Sequence, residues 1–360
     1  MNSPKAFAVC IAFVLLFSLR SSADKVDDYI RAEMERQHIP GLSLVVAKKG
    51  ELKKSAGYGL ANIEQNSPVT TNTVFQIQSI TKTFTATAIM ILVEEGKIQI
   101  EDKITKHLPN LPESWSGITV RHLLTHTSGI KDFINEPIVN KRLDLTPEEV
   151  IDSLRKLPLN FEPGEKYIYC NTGYHLLGMI IPKVTGKMWG EFLQERVFDP
   201  LGMKDTRIVS WPEIIPNRAA GYLWEDGRVQ NGHFLAPTIL AYAGGGLRST
   251  ALDMAKWDAA LCSEIILNQS VLQQMWTPAK FNNGKDSTYG FGWGVEKSSG
   301  QRLISHTGSH MTGFKSAILR YLDDGLTVIV LTNQRGANQT AIAKGVAAFY
   351  LPEIKLSAGK

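Results

Sequence analysis

Apolar residues recur at helical spacing in Lys25–Gln37, where Val26, Tyr29, Ile30 and Met34 share a face before Pro40 and Gly41 end the run. Two β-prone runs, Leu42–Ala47 and Glu51–Tyr58, flank Lys48, Lys49 and Gly50, which predicts a β-hairpin. From Ser79 onward Phe84, Ala88, Ile91 and Leu92 trace a buried helical face that stops before Gly96. Between Glu101 and about Trp276 the spacing stays helical, in Val120–Leu124, Pro147–Lys156, Tyr174–Val184, Trp189–Val197 and Ala251–Leu261, with Pro and Gly loops between. Beyond Tyr289–Val295 the pattern changes to short strands at Leu303–His306, Lys315–Tyr321 and Leu326–Leu331. Asp323-Asp324-Gly325 is a hairpin signal joining the last two, and Ala337–Tyr350 closes the chain as an Ala-rich helix.

Strands at both ends with helices between them fit one antiparallel sheet built from both termini, covered by the terminal helices. The expected class is α+β, with residues 24–78 and 290–360 forming the sheet domain and residues 79–289 a mainly helical insertion. A cleft between the two follows.

Composition changes this picture little: 43% hydrophobic and 21% charged residues exclude a disordered or low-complexity chain. The N-terminus stands apart, with Lys5, an apolar run Ala6–Leu19 broken only by Ser18, and the small residues Ser21, Ser22 and Ala23. That order reads as a cleavable secretory leader over residues 1–23, and so as a secreted or periplasmic protein. The run is short of the ~20 residues of a spanning helix, so no stable membrane insertion is expected after cleavage. Losing Lys5 and Arg20 with the leader takes the formal net charge from +4 to +2, which offers nothing to nucleic acid or an anionic membrane. Cys170 and Cys262 remain, enough for one bridge but read as two unpaired buried thiols.

Ser79 stands three residues before Lys82, so on a helix both side chains fall on nearly the same face. A serine hydroxyl needs a base within hydrogen-bond reach, and Lys82 serves if burial lowers its pKa toward neutrality. Tyr169 and Asn171 are separated by one residue; Tyr169, as a phenolate favoured by cationic neighbours, can take a proton from the Ser79–Lys82 pair and pass it to a leaving group, and Asn171 offers an amide for substrate contact. Ser305-His306-Thr307-Gly308-Ser309 puts a polar turn on an expected strand. Phe133 follows the Thr127-Ser128-Gly129 loop, as a residue bordering the cleft or as a packed loop aromatic. His122 with His126, and His306 with His310, repeat an interval of four without H-E-x-x-H, so no metal or cofactor is expected, and His126 is read as holding its loop. Gly244-Gly245-Gly246 lacks the context of a phosphate loop and reads as tight backbone packing near the cleft.

Ser79-x-x-Lys82, Tyr169-x-Asn171 and His306-Thr307-Gly308, in this order, resemble the three motifs of the serine β-lactamase and penicillin-binding-protein superfamily. The likeness is greatest to class C β-lactamases, D-alanyl-D-alanine carboxypeptidases and β-lactamase-fold carboxylesterases. Leu123–Gly129, Asn171–Tyr174, Leu201–Met203 and Gly244–Thr250 also look like that family's recurring segments, so the resemblance spans nearly the whole mature chain. It implies Ser79 as nucleophile, Lys82 and Tyr169 as coupled proton carriers, and an oxyanion hole from the backbone N–H groups of Ser79 and Ser309. Substrate contacts fall to Asn171, His306, Thr307 and Gly308. His306 stands where most β-lactamases and penicillin-binding proteins carry lysine, whereas many esterase-like and D-amino-acid peptidase members carry histidine. A neutral imidazole holds a substrate carboxylate less strongly than an ammonium.

The expected activity is therefore a secreted serine hydrolase forming an acyl-enzyme with esters or D-amino-acid amide and peptide bonds, its partner a small acyl or peptide substrate. The alternatives are a class C β-lactamase or cell-wall carboxypeptidase, and a non-catalytic binding protein on the same fold.

Overall fold

Five of the seven residues of Leu326–Thr332 are apolar and all seven are buried, on both faces, which marks the strand as the middle of a sheet covered on each side. The computed structural model describes residues 22–354 apart from 211, 237, 238, 240 and 299. The leader expected over residues 1–23 lies outside the described residues as far as residue 21; Ser22 already opens the first helix, Ser22–Arg36.

In chain order the strands are β1 (Gly41–Lys48), β2 (Glu51–Asn62), β3 (Ser67–Pro68), β4 (Phe75–Gln76), β5 (Arg207–Ile208), β6 (Tyr222–Glu225), β7 (Arg228–Asn231), β8 (Leu247–Ser249), β9 (Gly294–Ser298), β10 (Gln301–Ser309), β11 (Lys315–Tyr321) and β12 (Leu326–Thr332). Seven of them form one antiparallel sheet in the order β3-β2-β1-β12-β11-β10-β9, so the two chain ends meet where β1 pairs with β12. The turn between β1 and β2 puts Lys49 and Gly50 both at positive φ, which suits the twist of a tight hairpin.

Period-two alternation sorts the sheet's side chains. Leu42, Leu44, Val46, Leu319, Val328 and Val330 face one layer with Val26 and Ile30 of the first helix and Ile342 and Val346 of the last, Gln339–Ala348. Val45, Ile304, Ile318, Ile329 and Leu331 face the other way, into the core shared with Phe84, Trp257 and the helical block. A buried ion pair ties that block to the sheet: Arg320 on β11 donates through Nε to Asp258 Oδ1 at 2.7 Å, and Thr327 donates to the same oxygen at 2.7 Å.

The middle of the chain is less purely helical than its spacing predicts. It also holds the β6–β7 hairpin and, with β4, a small sheet in the order β4-β8-β5. These strands were hidden because they are short, and β7 is polar and solvent-facing, with no apolar alternation to reveal it. Among the described residues no helix is long and apolar enough to cross a membrane. Cys170 is a buried free thiol as expected, whereas Cys262, at the end of its helix, is free but exposed.

Candidate active site

The helix predicted to begin at Ser79 starts one turn more tightly: Gln78–Ile80 is a 3₁₀ turn that runs into the helix Thr81–Glu94. Gln78 sits at φ +50°, a left-handed conformation that a non-glycine residue holds only when its surroundings over-determine it. They do so here. Gln78 Nε2 donates to Gln76 Oε1 at 2.7 Å and to Thr312 Oγ1 at 3.1 Å, and Thr312 in turn donates to Gln76 at 2.8 Å. From the sheet side, Ser316 donates to the carbonyl of Ile77 at 2.7 Å.

Gly308 explains how β10 comes so close. A Cβ at this position would lie 2.4 Å from Ser316 Oγ, 2.5 Å from Ile77 O and 2.7 Å from the Gln78 Cβ. Expected as a substrate contact, Gly308 is buried against the turn that carries Ser79; its neighbours Thr307 and Ser309 are exposed and line the cleft with Ser79.

Lys82 lies one helical turn beyond Ser79 and is fully buried. Its Nζ is 3.3 Å from Ser79 Oγ, 2.9 Å from Asn171 Oδ1 and 2.6 Å from the carbonyl of Gly244. Burial lowers its pKa to about 7, against the opposing pull of Asp132. A neutral amine suits this geometry: two N–H groups for Asn171 and Gly244, and a lone pair toward the serine hydroxyl. The triple glycine is indeed tight packing, since a Cβ on Gly244 would lie 2.5 Å from the Tyr242 ring and 3.1 Å from Lys82 Nζ.

Asn171 opens the helix Asn171–Thr185, three residues earlier than the spacing predicts. Its amide oxygen accepts from both Lys82 and Tyr242, each at 2.9 Å, and its Nδ2 donates to Asp132 Oδ2 at 2.9 Å. With its oxygen and one N–H engaged inside the protein, Asn171 positions Lys82 and keeps one N–H for the substrate contact expected from the sequence. Asp132, which sequence reasoning missed, thus stands one residue removed from Lys82. Burial pushes its carboxyl up, while Asn171 and Lys82 draw it back.

Tyr169 is half-buried and lines the cleft with Ser79, with Lys82 Nζ 4.8 Å from its ring centre. Burial raises its pKa above the ordinary phenol value, with Ser79 opposing, which works against the phenolate expected beside a cationic lysine. His126 holds this segment from behind, as its structural reading required. At φ +58°, it contacts the Cys170 backbone through Nδ1 at 3.1 Å, its own carbonyl accepts from Ile168 N at 3.1 Å, and its ring sits 4.3 Å from that of Tyr169.

His306 borders the cleft with both ring nitrogens engaged. Nδ1 lies 2.9 Å from the carbonyl of Thr307, which can only accept, so Nδ1 carries the proton and Nε2 accepts from Tyr289 Oη at 2.8 Å. Burial first and Lys82 second depress its pKa to about 3, leaving the ring uncharged at neutral pH. Phe133, weighed as a cleft residue, is 0% exposed and packs edge-on against Tyr242 at 5.3 Å behind the site.

The resulting cleft has a volume of about 600 Å³. Among the described residues lining it, Glu296 is the one acid, and its carboxylate pairs with Lys344 at 3.6 Å. No cluster of His, Cys, Asp and Glu suited to a metal ion occurs among the described residues.

Comparison with known proteins follows the same lines. The profile of the family described as Beta-lactamase matches residues 26–350. The chain is 31% identical over 311 residues to Penicillin-binding protein 4* of Bacillus subtilis (strain 168), covering 81% of the chain and 68% of that relative. It is 30% identical over 316 residues to the D-aminopeptidase of Gluconobacter oxydans (strain 621H), covering 86% of the chain and only 58% of that relative. Similar solved structures include the octameric penicillin-binding protein homologue from Pyrococcus abyssi, with a TM-score of 0.80 at 31% identity over 92% of this chain and 77% of that one. The D-amino acid amidase from Ochrobactrum anthropi SV3 superposes with a TM-score of 0.78 at 29% identity, covering 94% of this chain and 100% of the amidase.

Proposed function

The chain belongs to the β-lactamase family, and from that premise we propose that it is a serine hydrolase forming an acyl-enzyme on Ser79, with esters or D-amino-acid amides and peptides as substrates. The observation that carries this reading is a buried lysine of near-neutral pKa, 3.3 Å from a serine that opens on the cleft. Neutral Lys82 takes the hydroxyl proton as Ser79 Oγ attacks the substrate carbonyl. The tetrahedral oxygen is received by the backbone N–H groups of Ser79 and Ser309. Protonated Tyr169 gives its proton to the departing amine or alcohol and is restored by the Lys82 ammonium. Water then releases the acyl group and returns free Ser79.

The cleft's charges favour this substrate class over carboxylate-bearing ones. His306 is neutral and engaged, so the cleft wall offers no ammonium to a substrate carboxylate, and Glu296 is turned to Lys344 of the last helix at 3.6 Å. The same reading takes residues 1–23 as a leader and the protein as secreted or periplasmic; N-terminal sequencing of protein recovered outside the cytoplasm tests that. A panel of p-nitrophenyl esters, D-amino-acid amides, D-alanyl peptides and nitrocefin, run on wild type and Ser79→Ala, tests the reaction. Turnover of an ester or D-amide is expected in wild type, with nitrocefin poorly cleaved and all turnover lost in Ser79→Ala. Full activity in that variant would sink the proposal, and efficient nitrocefin cleavage would favour a β-lactamase.

A further inference from the structure

A second cavity, of about 680 Å³, lies on the other side of the nucleophile turn and shares no lining residue with the cleft. Its lining is polar and cationic, with Thr73, Gln76, Asn217, Asn231 and Thr312 around Arg218 and Arg248. Arg248 is 2% exposed, and its Nε and Nη1 have no hydrogen-bond partner. A guanidinium is a fork of five donors that stays charged in nearly any protein setting, and burying it unpaired is costly.

Its neighbours do not compensate it. Arg218 opposes it with a like charge, and burial with that repulsion lowers the pKa of Arg248 to about 10. The acid that acts on it, Glu213, is held by Arg207 at 2.7 Å. Glu64, which accepts from Asn231 Nδ2 at 2.9 Å, is the acid attached to the rim. Arg248 is fixed by its backbone, since β8 pairs with β4 on one side and β5 on the other and places it opposite both Gln76 and Arg207.

We propose that this cavity is an oxyanion-binding site, separate from the catalytic cleft, in which Arg248 and Arg218 take a carboxylate or phosphate group. Two arginines facing one polar cavity match the paired oxygens of such a group, and the hydroxyl of Thr73 stands among the lining to donate to a remaining lone pair, whereas that of Thr312 is committed to Gln76. The ligand also sits beside Gln76, the residue that accepts from Gln78 and Thr312 behind Ser79.

Thermal denaturation and calorimetric titration of the full chain, with sodium phosphate in one arm and sodium acetate in the other, test this at ionic strength matched with chloride. Saturable binding of at least one anion, with a rise in melting temperature, is expected in wild type and unchanged in Ser79→Ala. Arg218→Gln, at an exposed position that leaves the fold intact, is expected to weaken binding about tenfold, and Arg248→Lys more. Binding in the phosphate arm alone assigns the site to phosphate groups, and in the acetate arm alone to carboxylates. No saturable binding of either anion beyond the chloride control, or equal binding in wild type and Arg218→Gln, overturns the proposal.

Discussion

The amide oxygen of Asn171 stands 2.9 Å from the Nζ of Lys82. That contact points the lysine at Ser79 and links it to Asp132 through the same amide. Because burial lowers the Lys82 pKa to about 7, kcat/KM is expected to climb as pH rises through 7 and Lys82 loses its proton. Asp132 raises the Lys82 pKa, so Asp132→Asn is expected to move this acid limb to lower pH. A pH–rate profile of both proteins on an ester substrate checks it; an unmoved limb separates Asp132 from the base.

Stability carries the same signature. With its pKa lowered from 10.5 to about 7 by folding, Lys82 holds more protons in the unfolded chain between those values. Its contribution is flat below pH 7 and grows more favourable as pH rises toward 10.5. Chemical denaturation at pH 6 and pH 9 is expected to show a larger gain for wild type than for Lys82→Met, which lacks the titration.

Tyr169→Phe removes the phenol proton and keeps the ring that packs near His126 and Lys82. The expected result is a fall in kcat of ~10²–10⁴-fold with KM little changed. An unaltered kcat would take Tyr169 out of the proton path.

At His306 the Tyr289 hydroxyl fills Nε2, and the ring stays neutral. His306→Lys places an ammonium on the cleft wall. We expect KM to fall for D-alanyl peptides, whose terminal carboxylate it meets, and to stay level for neutral p-nitrophenyl esters. A parallel change in both substrates would show that this position does not sort them by charge.

Phe133→Ala empties a fully buried site beside Tyr242 and is expected to cost ~3–5 kcal/mol in urea denaturation. Loss of substrate affinity without loss of stability would return Phe133 to the cleft.

Much of this was legible in the chain because each motif packs its chemistry into neighbouring residues. Ser79 and Lys82 share a helical turn, and the strands β11 and β12 follow from their apolar runs and the Asp-Asp-Gly turn. What stayed hidden is long-range. Asp132 meets Asn171 across 39 positions, Tyr242 meets it across 71, and neither residue carries a local pattern. Asn171 looked like a substrate amide because its type permits that contact; only the fold reveals that its oxygen and one N–H are already engaged. Tyr169 looked like a phenolate because charge neighbours are easier to infer from sequence than desolvation, which dominates here.

Gly308 packs directly against the turn before Ser79, yet the two are encoded far apart. The serine, its lysine, its tyrosine and its asparagine all precede the strand that braces them, and β1 waits for β12 to fill the middle of the sheet. Synthesis therefore yields a long chain that carries every reactive side chain and no wall to hold them. Such nonlocal pairing folds late and slowly, so Ser79 meets its supporting strand only once nearly all of these residues have been made.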